Sequence, residues 1–234
     1  MRAASANDKR MEDRAERQAR IEKAAEHVFA HRGVNAATMD DIARQSGVSK
    51  GALYLHFESK EQLYLSLAVR ALQDLIGKLE ANSVAGTGFE RISAFINTYG
   101  RYSLSDPARF CLAGAWIAPE WQFPANEPLA ASYVELVRHA LQLSVDVFEQ
   151  GKRDGTIRSE LDTQLTLLQF IGGMHGVLAL RAKILEAPTQ LPPHLDPKLW
   201  AGIISSNGTN EPRVIDRERI VTSYVDLLLA AIKR

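Results

Sequence analysis

Apolar positions recur at helical spacing along most of the chain, and no segment alternates with the period of two that a half-buried strand requires. Ile21, Ala24, Ala25, Val28 and Phe29 mark one face of a first helix over about Arg14 to His31, with Gly33 as its stop. Thr38 opens a second helix, because its hydroxyl can accept from the backbone three residues on while Asp41 reaches back. That helix turns Ile42 and Ala43 inward and ends at Gly47, a residue that tolerates positive φ. Ser49 caps a third, roughly Lys50 to Phe57, with Leu53 and Phe57 facing the core beside Val48. Ser59, with Gln62 three positions on, starts a long fourth helix to about Glu80, marked by Leu63, Leu67, Leu72, Leu75 and Leu79.

Beyond the Asn82–Gly88 loop the pattern stays helical: about 88–105, 107–118, 127–153, 161–186 and 216–233, with a stop at GKRDGTI. Residues 187–212 hold five prolines and the stretch NGTN, so they read as a long loop. Residues 1–13 are polar, mixed in charge and without periodicity, which predicts a disordered arm. Arg2, Lys9 and Arg10 would give that arm a minor-groove role, diluted by Asp8, Glu12 and Asp13. The fold expected is all-α, with an N-terminal head over 14–60 and a larger helical body over 61–234.

Composition excludes more than it selects. In 234 residues, 28 basic side chains balance 28 acidic ones, so net charge announces no polyanionic partner. Residues 1–60 carry 11 basic and 9 acidic groups, a slight lean that makes the placement of the basic residues decisive. No apolar run reaches the roughly 20 residues of a bilayer span, and the first residues lack the apolar core of a secretory signal. A cytoplasmic protein without a membrane partner is expected. Cys111 is the only cysteine, so no internal disulfide can form; its neighbours RFCLAGAWI predict a buried, inert thiol. His27 and His31 stand four apart, but no third ligand is near them, so no metal site is expected. There is no nucleophile elbow, phosphate loop or metal set, so neither catalysis nor a cofactor is expected.

Recognition chemistry gathers instead on the second and third helices. Two short helices joined by a tight turn place a helix N-terminus where it can enter a DNA major groove. Ser49 and the first free N–H groups make an anion site, and Lys50 can reach a phosphate or a guanine edge. Gly51 lets the backbone approach closely. Tyr54 and His56 offer donors to phosphate oxygens, and Lys60 repeats the anion-site arrangement at the next helix start.

The run TMDDIARQSGVSKGALYLHFESKEQL resembles the N-terminal domain of TetR-family transcriptional regulators: a Thr-led helix, G-V-S, then K-G-x-L-Y-x-H-F and S-K-E-x-L. The resemblance is strong over about 14–65. It implies DNA contacts at Thr38, Ser49, Lys50, Gly51, Tyr54, His56 and Lys60. The position after Tyr54, often a second aromatic in the family, is Leu55 here. Such a side chain can pack on a thymine methyl, or serve only in packing.

The resemblance further implies a homodimer on a palindromic operator, paired through the last two helices, and a small-molecule effector that releases the DNA. Gly172, Gly173 and Gly176 would permit close backbone approach in that dimer, with Ile220, Tyr224, Leu227 and Leu228 on the final amphipathic helix. Tyr99, Tyr102, Phe110, Trp116, Trp121 and Phe123 are candidate lining residues for an effector pocket. Phe148 and Met174 join them, with His175 as a polar handle. The two tryptophans of WIAPEWQFP suggest a kinked pocket wall or an exposed partner patch. A rival reading keeps the DNA-binding head but gives the body no ligand to sense, as in an architectural or interaction protein.

Overall fold

A computed structural model describes residues 6–82, 85–117, 128–184 and 217–234. The helices are α1 (Ala6–Ala36), α2 (Met39–Ser46), α3 (Lys50–Tyr54), α4 (Lys60–Ala81), α5 (Gly88–Ser105), α6 (Pro107–Ala113), α7 (Pro128–Arg153), α8 (Thr163–Ile184) and α9 (Arg217–Ile232). A 3-10 turn, Ala115–Ile117, follows α6. Among the described residues the only strand-like pairing is a single antiparallel bridge between Ile157 and Lys233. The expected all-α fold is the observed one.

Three boundaries differ from expectation. Helix α1 begins at Ala6, so residues 6–13 are helical rather than a disordered arm. The absence of apolar periodicity there reports the absence of burial, not of helix, and Ala, Met, Glu and Arg are good helix formers. Arg2, Lys9 and Arg10, proposed for the arm, lie outside the described side chains. Gly33 breaks α1 as expected, with φ 73° and ψ 161°, but one further turn follows the kink. Helix α3 stops at Tyr54 instead of Phe57: His56 and Phe57 both donate to the Leu53 carbonyl at 3.0 Å, which tightens the last turn.

The chain packs as two units. One comprises residues 1–78 with 106–140, the other 79–105 with 141–234. The first unit closes on Ile21, Ala25, Ile42, Leu53, Leu63 and Leu65, all fully buried. Phe29 meets Tyr64 edge-on at 5.3 Å between ring centroids, a favourable aromatic geometry. Tyr133 is also fully buried there; its hydroxyl donates to the Ala113 carbonyl at 2.7 Å and accepts from the Trp116 N–H at 3.3 Å. Burial pushes that phenol's pKa up. Cys111, expected to be buried, is exposed: it lies on the outer side of α6 while Phe110 and Leu112 turn inward.

The second unit packs α5 with α8 and α9 around Ile92, Ile96, Phe148, Phe170, Met174 and Val221. Asp162 caps α8 through the Leu165 N–H at 2.8 Å, and Asp154 accepts from the Gly88 N–H at 2.6 Å, fixing the start of α5. Among the described residues no helix is long and apolar enough to cross a membrane. Trp121, Phe123 and the 187–212 segment lie outside the described residues.

Candidate nucleic-acid interface

Helix α2 is set by a complete capping box. The Asp41 N–H donates to Thr38 Oγ1 at 3.1 Å, and the Thr38 N–H donates to Asp41 Oδ2 at 3.2 Å. The Thr38 hydroxyl also donates to that carboxylate at 2.7 Å, and Arg32 and Arg44 reach it at 3.1 and 3.3 Å. The Thr38 hydroxyl first, then the two guanidiniums, hold the Asp41 pKa below the usual carboxylate range against the effect of burial. Gly47 ends the helix in the left-handed region, φ 68°, where a side chain would be strained.

Ser49 then caps α3, accepting from the Ala52 N–H at 3.2 Å. Leu53 is fully buried and anchors the helix, which leaves Ser49, Lys50, Gly51, Tyr54 and Leu55 on the outside. Tyr54 is 44% and Leu55 80% exposed. Leu55 thus stands out from the core beside Tyr54 on the outer side of α3. Val48 and His56 are half-buried, and Phe57 is buried as expected.

Two cations differ from their sequence reading. Lys50 Nζ pairs with Asp40 Oδ1 at 2.8 Å, across the turn from α3 to α2. Both groups are exposed, so the pair is weak enough for a phosphate to displace. Lys60 is more firmly engaged: its ammonium donates to the carbonyls of Val34 at 2.8 Å and Asn35 at 3.3 Å. It satisfies the end of α1 and is not aimed at an anion beside its own helix. The capping at α4 also departs in detail. Ser59 accepts from Gln62 N–H at 3.0 Å, but the Gln62 side chain accepts from Glu58 N–H at 2.8 Å, one residue before the cap.

Residues 21–67 match the family model for bacterial regulatory proteins of the tetR family. Those residues carry the TetR-family DNA-binding domain. It is 32% identical over 140 residues to the transcriptional repressor KstR2 of Rhodococcus jostii, covering 59% of this chain and 66% of that one. Over 87 residues it is 39% identical to the transcriptional activator FasR of Mycolicibacterium smegmatis, covering 37% and 40%. The aligned part thus spans less than two thirds of either relative's length. In fold it is similar to the transcriptional regulator FadR of Bacillus subtilis, solved in complex with stearoyl-CoA: TM-score 0.62, 20% identity, 91% of this chain and 98% of that one. TetR-family proteins are regulators rather than enzymes. Among the described residues no group of three or more His, Cys, Asp or Glu side chains could hold a metal, and His27 and His31 contact one another with 4.0 Å between ring centroids.

The body residues named from sequence separate by unit. Tyr99, Tyr102, Phe148 and Met174 are buried in the second unit, with His175 half-buried among them. Phe110, fully buried, and Trp116, partly exposed, belong to the first unit. The Tyr99 hydroxyl and His175 Nε2 lie 3.1 Å apart, and Phe170, which the sequence reading missed, stands 5.2 Å from the Tyr99 ring. Burial lowers the His175 pKa to about 4, so its imidazole is neutral at pH 7. A neutral imidazole beside a phenol can offer a hydrogen bond to a ligand without the cost of burying a charge.

The residues named for dimerisation also divide. Tyr224 packs within the chain: its hydroxyl donates to the Gln169 carbonyl at 2.9 Å over Gly173, whose missing side chain leaves room for that ring. Gly172 and Gly176 face open space. Leu165 and Leu168, which the sequence reading missed, continue their stripe at the next turns of α8 and are 55% and 53% exposed. Leu227 on α9 is 66% exposed, while Ile220 and Leu228 are half-buried.

Proposed function

We propose that this protein is a sequence-specific DNA-binding transcriptional regulator, a homodimeric repressor released from a palindromic operator by an apolar small molecule. The observation that carries the reading is the outer face of α3: a capped N-terminus, Lys50, a bare Gly51, and exposed Tyr54 and Leu55, all held by a buried Leu53. Such a face combines an anion site with donors and one apolar contact, the mixture that major-groove reading needs. Thr38, Ser49, Lys50, Tyr54 and His56 supply phosphate or base contacts, and Leu55 packs on a thymine methyl. Lys60 contributes through the head's geometry instead.

Pairing follows from scale, since one small head makes too few contacts for tight binding. The exposed Leu165, Leu168, Gly172 and Gly176 stripe with Leu227 is an apolar surface suited to a four-helix, two-fold contact. Effector binding is supported by the Tyr99, Phe170 and His175 cluster in the body and by the acyl-CoA held in a regulator of the same fold. Release requires that the ligand bind the off-DNA arrangement better than the DNA-bound one.

The test is an anisotropy titration of the protein against the duplex upstream of its own gene, beside a scrambled duplex, at two salt concentrations. Selective binding that is lost in Lys50→Ala supports the reading. Leu55→Ala is expected to relax preference at one base pair by about 1 kcal/mol, roughly fivefold. Selectivity unchanged in Lys50→Ala, Tyr54→Phe and Leu55→Ala would refute the assigned face. Operator binding that no acyl or other apolar ligand alters would favour a DNA-binding protein that senses nothing.

A further inference from the structure

We propose that Arg14 and Arg17 of α1, together with the Leu55–His56 edge of the reading helix, form a second phosphate-binding cleft that grips one DNA backbone phosphate per protomer. The proposal rests on the DNA-binding function argued above and adds a contact outside the helix-turn-helix itself. The cleft has a volume of about 530 Å³ and is lined by Asp13, Arg14, Arg17, Leu55 and His56. It therefore opens beside the most exposed apolar side chain of the reading face.

Helix register aims the two arginines at this edge. Arg14, Arg17, Ile21, Ala25 and Val28 fall at i, i+3, i+7, i+11 and i+14, a single stripe of α1. Where the stripe meets the head's core it is apolar and buried; where α1 runs past that core it becomes basic and exposed. Arg17 and Arg14 thus stand one and two turns before the buried Ile21, on its side of the helix.

Their lack of partners points the same way. Arg32 and Arg44 share Asp41, Lys50 holds Asp40, Arg70 holds Glu22, and Arg109 holds Glu26. Neither Arg14 nor Arg17 has a hydrogen-bond or ion-pair partner among the described residues, although Asp13 lies in the same cleft. His56 is pressed toward its neutral form, first by burial and then by the positive fields of Arg14 and Arg17. Two guanidiniums and an imidazole against the single carboxylate of Asp13 leave the cleft with a cationic excess that an anion would relieve. Guanidinium is the side-chain group best matched to phosphate oxygens. The neighbouring reading helix determines whose phosphate it is, because duplex DNA on that face brings its backbone past this edge.

The experiment uses the full-length protein and a duplex enriched by it from a random-sequence pool, with a scrambled duplex beside it. Binding is measured across a salt series for the wild type, Arg14→Gln/Arg17→Gln and Arg14→Lys/Arg17→Lys, and phosphate-ethylation interference is mapped for each. The glutamine variant is expected to lose affinity for both duplexes in equal proportion, keeping its selectivity. Its salt slope should fall by about 1.8, near 0.9 for each of the two phosphates a dimer holds. Interference should disappear at one phosphate per half-site, and the lysine variant should keep the slope. An unchanged slope or an unchanged interference pattern in the glutamine variant would overturn the proposal while leaving DNA binding intact. No duplex binding by the wild type would overturn the function itself, and this cleft with it.

Discussion

The Lys60 ammonium donates to the Val34 carbonyl at 2.8 Å, tying the first residue of α4 to the end of α1 across 26 positions of sequence. A lysine that a motif comparison assigns to phosphate is thus employed inside the head, holding the supports of the reading helix at their spacing. Lys60→Met is expected to destabilise the head by about 1 kcal/mol, the usual worth of a hydrogen bond, with little change in the salt slope of duplex binding. Denaturation and a salt series on the same variant check it. A reduced slope at unchanged stability would return Lys60 to the phosphate-contacting set.

Asp40 restrains Lys50 and adds a negative charge to the face that meets DNA. Asp40→Asn should tighten binding to any duplex severalfold, the reverse of Lys50→Ala, because the exposed pair itself contributes little stability. Side-by-side titrations decide it, and weaker binding by Asp40→Asn would show that the carboxylate positions Lys50 for its contact.

His175 should titrate near pH 4 in the folded protein, against about 6.5 in an unfolded chain. The lowered value gives the sign: between pH 6.5 and 4 the unfolded chain binds a proton that the folded one refuses, so acidification through that window favours unfolding. Above pH 6.5 the group contributes no pH dependence. The imidazole signals in a proton NMR titration read the value directly, and His175→Gln should lose less stability than the wild type between pH 7 and 5. Titration of the folded imidazole near 6.5 would show that the site is open to water.

Leu165→Glu/Leu168→Glu places two charges on the exposed apolar stripe of α8. If that stripe is the dimer contact, the lost burial amounts to on the order of 3 kcal/mol, about two decades in the dimer dissociation constant. Sedimentation at micromolar concentration is expected to show monomers, with operator affinity falling in step. A persisting dimer would move the interface elsewhere. The buried Met174, on the opposite side of α8, serves as the contrasting position, since its truncation should destabilise the fold.

Local chemistry made much of the head legible in advance. Thr38 with Asp41, Gly47 at φ 68°, Ser49, and the inward Ile42 and Leu53 are all short-range features whose energies lie within one or two turns of chain. The same holds for the helical pattern of the body, because periodicity reports which face is buried whatever it is buried against. Cys111 shows the limit of neighbourhood arguments: apolar neighbours in sequence did not bury it, because they turn to the other side of α6.

By itself, then, the sequence determined the helices, their caps and the composition of the reading face, since each depends on residues a few positions apart. Only the tertiary structure decided where the long side chains end. Lys60 finds carbonyls on α1, Lys50 finds Asp40, Tyr224 covers Gly173, and the first turns of α1 bring Arg14 and Arg17 beside Leu55. A flexible cationic or phenolic side chain reaches several ångströms in many directions, and its partner is selected by which elements the fold sets next to it, a choice no local pattern encodes.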